Sequence, residues 1–139
     1  MLSKLDQIFV DTSFFKALFD EKDDFYKEAV EIFSNIAEQS VVLVTSNYIL
    51  DETFTLIRKR RGKDKAREFR DFLAEATPSI KIIRVIASDE ANVWDWFLLD
   101  WSDLSFTDCV SFAVMKRLGL EKVATFDQHF AKAGFKIVS

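Results

Sequence analysis

The sequence predicts an α/β fold, a single-domain three-layer α/β/α sandwich built around a mostly parallel five-stranded sheet. Short segments that are almost continuously apolar alternate with longer segments of helical spacing along the chain. Strands that are apolar throughout are typical of a parallel sheet covered on both faces. Strands that alternate with helices favour a doubly wound arrangement, in which ligands bind beyond the carboxyl ends of the strands.

The predicted strands are short runs rich in valine, isoleucine and phenylalanine. They are Gln7–Val10, Val41–Thr45, Lys81–Ile86, Lys122–Thr125 and Phe135–Val138. One proline and three glycines leave little material for linkers, and no internal repeat is visible in the 139 residues. We therefore expect one domain over residues 1–139.

Helices are predicted between these strands, where apolar residues recur three or four positions apart. The predicted helices run from Phe25 to Ile36, Ser46 to Arg61, around Phe69–Leu73, Ser88 to Leu99, and Ser105 to Leu118. Gly119 follows the last of them, at the position where a helix C-terminus favours glycine.

The composition restricts the kinds of metal site that this chain can form. Cys109 is the single cysteine and His129 the single histidine, which excludes an internal disulfide, a cysteine-based zinc site and a multi-histidine site. Any metal must then be held mainly by oxygen ligands. No apolar run approaches the roughly 20 residues that span a bilayer, and the N-terminus lacks a signal-peptide layout, so a cytoplasmic protein is expected.

Carboxylates follow two of the predicted strands. Asp11 comes directly after the first strand, and Asp127 comes shortly after the fourth. Because the carboxyl ends of parallel strands share one edge of the sheet, we expect both acids there. Taken singly, each acid is more simply explained as a helix N-cap, a role that Thr12 or Ser13 could also fill.

Two further acids lie in predicted helices. Asp108 belongs to a Ser-x-x-Asp sequence before an uncharged apolar helix, which leaves capping and catalysis equally open. Glu52 has Tyr48, Ile49 and Leu56 as helical neighbours, so it lies on the apolar face of its helix. A buried carboxylate is costly unless it is paired or bound to a cation, and no basic residue is placed to neutralise Glu52. A functional role is therefore favoured for Glu52.

The four acids could converge at one edge of the sheet, where their mutual repulsion would require divalent cations. Oxygen ligands favour Mg²⁺ or Mn²⁺. Two such ions about 3.5–4 Å apart would activate water and stabilise the leaving oxygen of a phosphodiester. That mechanism needs neither histidine nor cysteine.

Four segments carry a family resemblance that covers essentially the whole chain. They are Val10-Asp11-Thr12-Ser13, Tyr48-Ile49-Leu50-Asp51-Glu52-Thr53, Leu104-Ser105-Phe106-Thr107-Asp108-Cys109 and Ala124-Thr125-Phe126-Asp127-Gln128-His129-Phe130. In this order and spacing the chain resembles PIN-domain ribonucleases, and among them the VapC-like toxins of toxin–antitoxin pairs.

The resemblance implies a metal-dependent endoribonuclease that uses Mg²⁺ or Mn²⁺ and leaves a 5′-phosphate and a 3′-hydroxyl. It places the metal-binding acids at Asp11, Glu52, Asp108 and Asp127. It suggests Thr12 or Ser13 as support for the first acid and Asp103 as a further candidate, although a solvated loop acid is the simpler explanation of Asp103. It also implies a homodimer and a cognate antitoxin. An RNA-processing enzyme that is not a toxin fits the same residues.

A strongly basic segment interrupts this acidic chain between Arg58 and Arg70. It holds eight basic residues and two acidic ones, a local charge of +6 within a net charge of −4. A solvated helix hairpin that turns at Gly62 is one explanation, and antitoxin binding is another. We slightly favour contact with an RNA backbone, because the segment continues the Glu52 helix. The candidate RNA-binding residues are Arg58, Lys59, Arg60 and Arg61.

Aromatic residues are concentrated between Trp94 and Trp101, where core packing is favoured over base stacking. On a helical wheel Trp94 and Leu98 share the face of Trp101, and Trp96 lies on the other side. Trp96 is therefore the candidate contact with a partner or a second subunit. We expect His129 to pack or form hydrogen bonds near Asp127 without binding metal, and Cys109 to be an inert core residue.

Two alternatives from other functional classes remain. A phosphotransfer domain would use Asp11 as the phosphate acceptor, but a phosphatase would need an acid where Ser13 stands, and a receiver would need a lysine near Asp127. A non-enzymatic binding module would use the acids only as helix caps. The apolar neighbours of Glu52 count against that second alternative.

Overall fold

A computed structural model of the chain describes residues 6–76 and 79–139, and its strands form one parallel sheet. The strands are β1 (Asp6–Val10), β2 (Val41–Ser46), β3 (Ile80–Ile83), β4 (Lys122–Ala124) and β5 (Lys136–Ile137). They lie in the order β3-β2-β1-β4-β5, and every neighbouring pair is parallel. The predicted fold class, an α/β/α sandwich around a parallel five-stranded sheet, is confirmed.

Helices connect the strands and cover both faces of the sheet. They are α1 (Thr12–Leu18), α2 (Tyr26–Ala37), α3 (Asn47–Glu75), α4 (Ala87–Ala91), α5 (Trp94–Phe97), α6 (Phe106–Leu118) and α7 (His129–Lys132). The chain steps from β1 to β3 in one direction and from β4 to β5 in the other. Right-handed crossovers therefore place α1–α3 on one face and α4–α7 on the opposite face. Contacts within each group agree with this division, since α1 touches α2 and α3, whereas α6 touches α4, α5 and α7. Helices α3 and α6 also touch each other.

The third strand is shorter than the sequence predicted. It ends at Ile83, because the next backbone donors bond to side chains outside the sheet. The Val85 N–H donates to Asn47 Oδ1 at 2.8 Å, and the Ile86 N–H donates to Asp89 Oδ2 at 3.0 Å. Helix α1 begins directly after Asp11, where the sequence predicted a helix that this acid could cap but did not give the bounds of the helix.

Helix α3 joins two predicted helices across a break at Gly62. Ser46 caps its start, with Oγ accepting from the Ile49 N–H at 3.2 Å. Gly62 has φ 88° and ψ 176°, a conformation that side chains other than glycine rarely adopt. The predicted turn at Gly62 is confirmed, and the basic segment spans both arms of this helix.

The single helix predicted from Ser88 to Leu99 is wrong. Helix α4 ends at Ala91, and α5 starts again after the fully buried Val93. This break changes the helical phase, so the predicted faces are reversed. Trp96 packs on Phe112 with ring centroids 5.5 Å apart, whereas Trp94 and Leu98 are 50% and 75% exposed.

Helix α6 forms the buried centre of its layer, as the uncharged apolar run of residues 109–115 predicted. Ser105 Oγ accepts from the Asp108 N–H at 3.0 Å, and Asp108 Oδ2 accepts from the Ser105 N–H at 3.2 Å. These two bonds complete the predicted capping box. Cys109 is fully buried, and burial raises the pKa of its thiol to about 11, so it is an inert core residue. None of the described helices is both long and apolar enough to cross a bilayer.

An ion pair between the buried carboxylate of Asp89 and the partly exposed Arg117 anchors the short helix α4 to α6, and its loss should destabilise the fold. Arg117 donates to both carboxylate oxygens of Asp89 at 2.8 and 2.9 Å, and Asp89 is 1% exposed. We expect Asp89→Ala to lower the free energy of unfolding by about 1–3 kcal/mol, because it removes the bonds to Arg117 and the cap on the Ile86 N–H. Denaturant unfolding beside the exposed control Asp95→Ala measures this. Equal stability of the two variants would contradict it.

Candidate active site

The predicted acids line one cavity beyond the carboxyl ends of β1 and β4. These are adjacent central strands whose onward connections run in opposite directions, which is where ligands bind in such sheets. The cavity has a volume of about 320 Å³. Its lining consists of Asp11, Thr12, Ser13, Lys16, Glu52, Leu56, Arg60, Ser105, Asp108 and Asp127. All four predicted acids are thus brought together from four separate segments.

Asp11 is held rigidly at the end of β1. Its Oδ2 accepts from Thr125 Oγ1 at 2.8 Å, from Ser13 Oγ at 2.9 Å and from the Ser13 N–H at 3.4 Å. Asp11 therefore caps α1 as well as lining the cavity, so the two explanations of this acid are compatible. Ser13 supports Asp11 as expected. Thr12 also lines the cavity, but its hydroxyl has no hydrogen-bond partner among the described residues.

Burial and mutual repulsion both disfavour the ionised forms of Asp11 and Asp108 in the folded protein. Burial raises the pKa of Asp11 to about 6, and the negative charge of Asp127 adds to this rise, while the bonds from Thr125 and Ser13 oppose it. Burial also raises the pKa of Asp108 to about 7, with further contributions from Asp11 and Asp127. A site with this much uncompensated negative charge favours a cation.

His129 adds a nitrogen atom to the acidic cluster. Its Nε2 lies 2.8 Å from the carbonyl oxygen of Ser102, which can only accept a hydrogen bond, so Nε2 donates in this contact. Its Nδ1 then faces the carboxylates, 2.7 Å from Asp127 Oδ1 and 4.0 Å from Asp108 Oδ2. Despite the short distance to Asp127, Nδ1 is buried without a well-directed hydrogen bond to the described residues.

The ligand atoms closest to one another are those of Asp108, Asp127 and His129, which lie within 4.8 Å of each other. Glu52 is half-buried on α3 and lines the cavity outside this trio, as does Asp11. His129 is expected from the sequence to form hydrogen bonds without binding metal. The bond to Ser102 agrees with that expectation, and the position of Nδ1 adds a ligand geometry that it did not foresee.

Comparison with known proteins identifies the family. The family model for the PIN domain matches residues 8–136. The chain belongs to the PIN-domain family. The chain is 35% identical over 129 residues to VapC20 of Mycobacterium tuberculosis. In two strains that protein is named a 23S rRNA-specific endonuclease. The alignment covers 92% of this chain and 95% of that protein.

Solved structures agree with this assignment to the PIN-domain family. The crystal structure of M. tuberculosis VapC20, described as a sarcin–ricin loop cleaving toxin, superposes with a TM-score of 0.80 at 33% identity and covers 92% of this chain and 95% of its own. FitAcB from Neisseria gonorrhoeae shares the fold with a TM-score of 0.66 at 17% identity, covering 95% and 96%. The predicted likeness to PIN domains of the VapC type is confirmed.

This PIN domain presents site residues that sequence reasoning missed. Lys16 lines the cavity from α1, one turn beyond Thr12. Thr125 connects two acids, since its Oγ1 bonds Asp11 and accepts from the Asp127 N–H at 3.0 Å. The sequence offers a signal for each residue. Lys16 lies four positions after Thr12, on the same face of α1, and Thr125 directly follows β4.

The weaker candidates occupy different places in this PIN domain. Asp103 is exposed, has φ 61° and does not line the cavity. Of the four candidate RNA-binding residues, Arg60 lines the cavity. Arg58 and Lys59 are exposed elsewhere on α3, and the Nε of Arg61 lies 3.5 Å from Asp20 Oδ1.

Proposed function

We propose that this chain is a divalent-metal-dependent endoribonuclease, contained in one domain, and the toxin of a toxin–antitoxin pair. The enzyme class, an endoribonuclease that hydrolyses phosphodiester bonds, follows from the PIN domain and from the relationship to VapC20. The observation that carries the proposal is the convergence of four acids from four segments on one cavity at the sheet edge. We infer a cytoplasmic location from the proposed RNA substrate.

The residues present fit a divalent cation. The carboxylates of Asp11, Asp108 and Asp127 are hard oxygen donors, which suit Mg²⁺ or Mn²⁺. The imidazole nitrogen of His129 is a softer donor, which favours Mn²⁺ over Mg²⁺. A bound ion would supply Lewis-acid chemistry, polarising the phosphodiester and lowering the pKa of water at the site. Asp108, Asp127 and His129 would hold it directly, and Asp11 and Glu52, which line the same cavity, would be further ligands.

The other residues of the cavity orient the acids and the substrate. Thr125 and Ser13 fix one oxygen of Asp11, which keeps this acid from rotating out of the site. Arg60, which has no ion-pair partner among the described residues, brings positive charge to an otherwise negative cavity, and Lys16, which is paired with Asp23, adds a further donor. That charge would attract the phosphate of the cleaved bond and offset its repulsion by the carboxylates.

His129 should contribute directly to cation affinity. Since its Nε2 is tied to Ser102, its Nδ1 is oriented before any ion arrives. We expect His129→Ala to weaken Mn²⁺ binding about 10- to 100-fold, measured by calorimetry without RNA. Lys132→Ala, on the same short helix, is the matched control. Equal Mn²⁺ affinity in both variants would remove His129 from the ligand set.

The four basic candidates should differ in their effect on RNA cleavage. We expect Arg60→Ala to raise KM several-fold and to reduce the salt dependence of RNA binding by about one phosphate contact, because Arg60 alone of the four lines the cavity. Lys59→Ala is the matched control on the next position of α3. An equal rise in KM for both variants would contradict a specific role of Arg60, because it would show that any positive charge of this segment attracts RNA equally.

The proposed substrate is ribosomal RNA and the proposed partner is an antitoxin, with a homodimer as the proposed assembly. The support is the 35% identity to VapC20, whose name specifies 23S rRNA. Primer extension on ribosomal RNA from cells that express the chain tests the target. A single new end in 23S rRNA is expected. Intact ribosomal RNA, together with a cut in another RNA, would favour an RNA-processing enzyme with a different target.

A further inference from the structure

A second cavity lies beside the acidic one and shares residues with it. It has a volume of about 520 Å³ and is formed by α1, the loop before α2 and the middle of α3. Lys16 and Arg60 line both cavities, so they stand at the boundary between them. An extended ligand that enters the acidic cavity can therefore continue past these two basic side chains into the second cavity.

An exposed aromatic ring forms part of the wall of this second cavity. Phe25 is 45% exposed, yet it does not stand alone. Its ring stacks on Phe126 at 4.5 Å with an interplanar angle of 8°. Phe126 stacks in turn on the buried Phe14 at 5.8 Å and 14°. Phe126, the middle ring of this nearly parallel column, directly precedes Asp127 in the sequence.

The loop that carries Phe25 is fixed by its own acids. Asp23 Oδ1 accepts from the Phe25 N–H at 2.8 Å, and its other carboxylate oxygen, Oδ2, is paired with Lys16. Asp20, which is 6% exposed, accepts from the Lys22 N–H at 3.0 Å and lies close to Arg61. These two acids hold the backbone of the loop and are neutralised by basic partners.

The lining of the second cavity also holds the exposed Asp24, so its four basic residues outnumber its acids by one, and this small excess of positive charge favours an anion. In the described part of the chain no carboxylate lies within ion-pair distance of Lys22 or Arg60, and both side chains are exposed. Basic groups around an exposed, preorganised ring are the combination that binds single-stranded nucleic acid, since a base stacks on the ring and its phosphate meets the cations.

We propose that Phe25 is the stacking platform of a nucleotide subsite, which holds an unpaired base of the RNA next to the scissile phosphate. The subsite rests on the proposed function for the identity of its ligand as RNA. The base adds a fourth layer to the Phe14–Phe126–Phe25 column, and Arg60 and Lys22 contact the adjoining phosphate. This subsite selects substrates whose bases are unpaired beside the cut.

RNA binding without cleavage tests the subsite separately from catalysis. The probes are short single-stranded RNAs with 2-aminopurine at successive positions, titrated with the full chain in EDTA. We expect the fluorescence of one position to respond to binding. Phe25→Leu, which still covers Phe126 but offers no ring face, should bind about 5- to 100-fold more weakly and lose that response. Phe25→Trp should retain both, and Phe97→Ala, an exposed phenylalanine outside both cavities, serves as control.

The outcomes distinguish this subsite from the proposed function. Metal-dependent cleavage with equal RNA affinity in wild type and Phe25→Leu would overturn the subsite and leave the nuclease assignment intact. A Phe25-dependent response without cleavage in any metal would support the subsite and overturn the nuclease. Where cleavage occurs, Phe25→Leu should raise KM with little change in kcat, whereas an equal fall in kcat for Phe25→Leu and Phe25→Trp would show a structural role only.

Discussion

Asp11→Asn should lower the rate of RNA cleavage by at least about 100-fold while the fold is retained. The amide can still accept hydrogen bonds from Thr125 and Ser13, so the local geometry has no reason to collapse. What the substitution removes is the negative charge that a cation would need. Cleavage of ribosomal RNA under Mn²⁺, compared with circular dichroism of the same samples, measures both parts of this expectation.

The same substitution should stabilise the metal-free protein at high pH. The pKa of Asp11 is raised from 3.8 to about 6, so ionising this buried group costs on the order of 2–3 kcal/mol of folding free energy above pH 6. Asn carries no such cost. A higher Tm for Asp11→Asn at pH 8 in EDTA, absent at pH 4, is expected.

The control for both effects is Asp51→Asn, an exposed acid on α3 beside Glu52. It changes the net charge equally but leaves the cavity untouched. Cleavage lost equally in Asp51→Asn and Asp11→Asn would show that overall charge, and not the site, controls activity. Wild-type activity in Asp11→Asn would remove this acid from the mechanism.

Metal-free protein should lose stability as the pH rises from about 4 to about 7. The folded-state pKa values of Asp11 and Asp108, about 6 and about 7, exceed the usual 3.8, so in this range the folded state binds more protons than the unfolded chain. Folding free energy is then present at low pH and is lost as these groups ionise. The direction is opposite to that of an ordinary ion-paired aspartate.

A divalent cation should reverse this loss. Since the cation binds ionised carboxylates, protons compete with it below pH 6, and its affinity rises as the acids ionise. We expect the increase in Tm caused by Mn²⁺ to be several-fold larger at pH 8 than at pH 5, measured by calorimetric scans with and without EDTA. The variant with both Asp11→Asn and Asp108→Asn is the control. A pH-independent effect of Mn²⁺ would place its binding elsewhere.

The strand-end acids show why the site could be predicted from sequence. In a parallel sheet the carboxyl ends of adjacent strands meet, so Asp11 and Asp127 had to lie near each other once β1 and β4 were paired. Glu52 was predicted from its apolar neighbours, since helical periodicity determines which face a side chain occupies. The roles of these acids in catalysis stay a prediction.

Features that depend on a local break or a distant contact were not predictable in the same way. The interruption between α4 and α5 reversed the faces of Trp94 and Trp96, because a wheel assumes one uninterrupted helix. The direction of His129 Nδ1 is determined by the Ser102 carbonyl, 27 residues away in the sequence. The stacking of Phe25 on Phe126 joins residues even more distant, and no local pattern records it.

RNA cleavage by this chain should require a divalent cation held by these carboxylates. The most direct measurement incubates the purified wild-type chain with ribosomal RNA in Mn²⁺, in Mg²⁺ and in EDTA, and maps the ends produced. We expect cleavage at a defined position with Mn²⁺ or Mg²⁺ and none in EDTA. Equal cleavage in EDTA, or tight Mn²⁺ binding without cleavage of any RNA supplied, would contradict it.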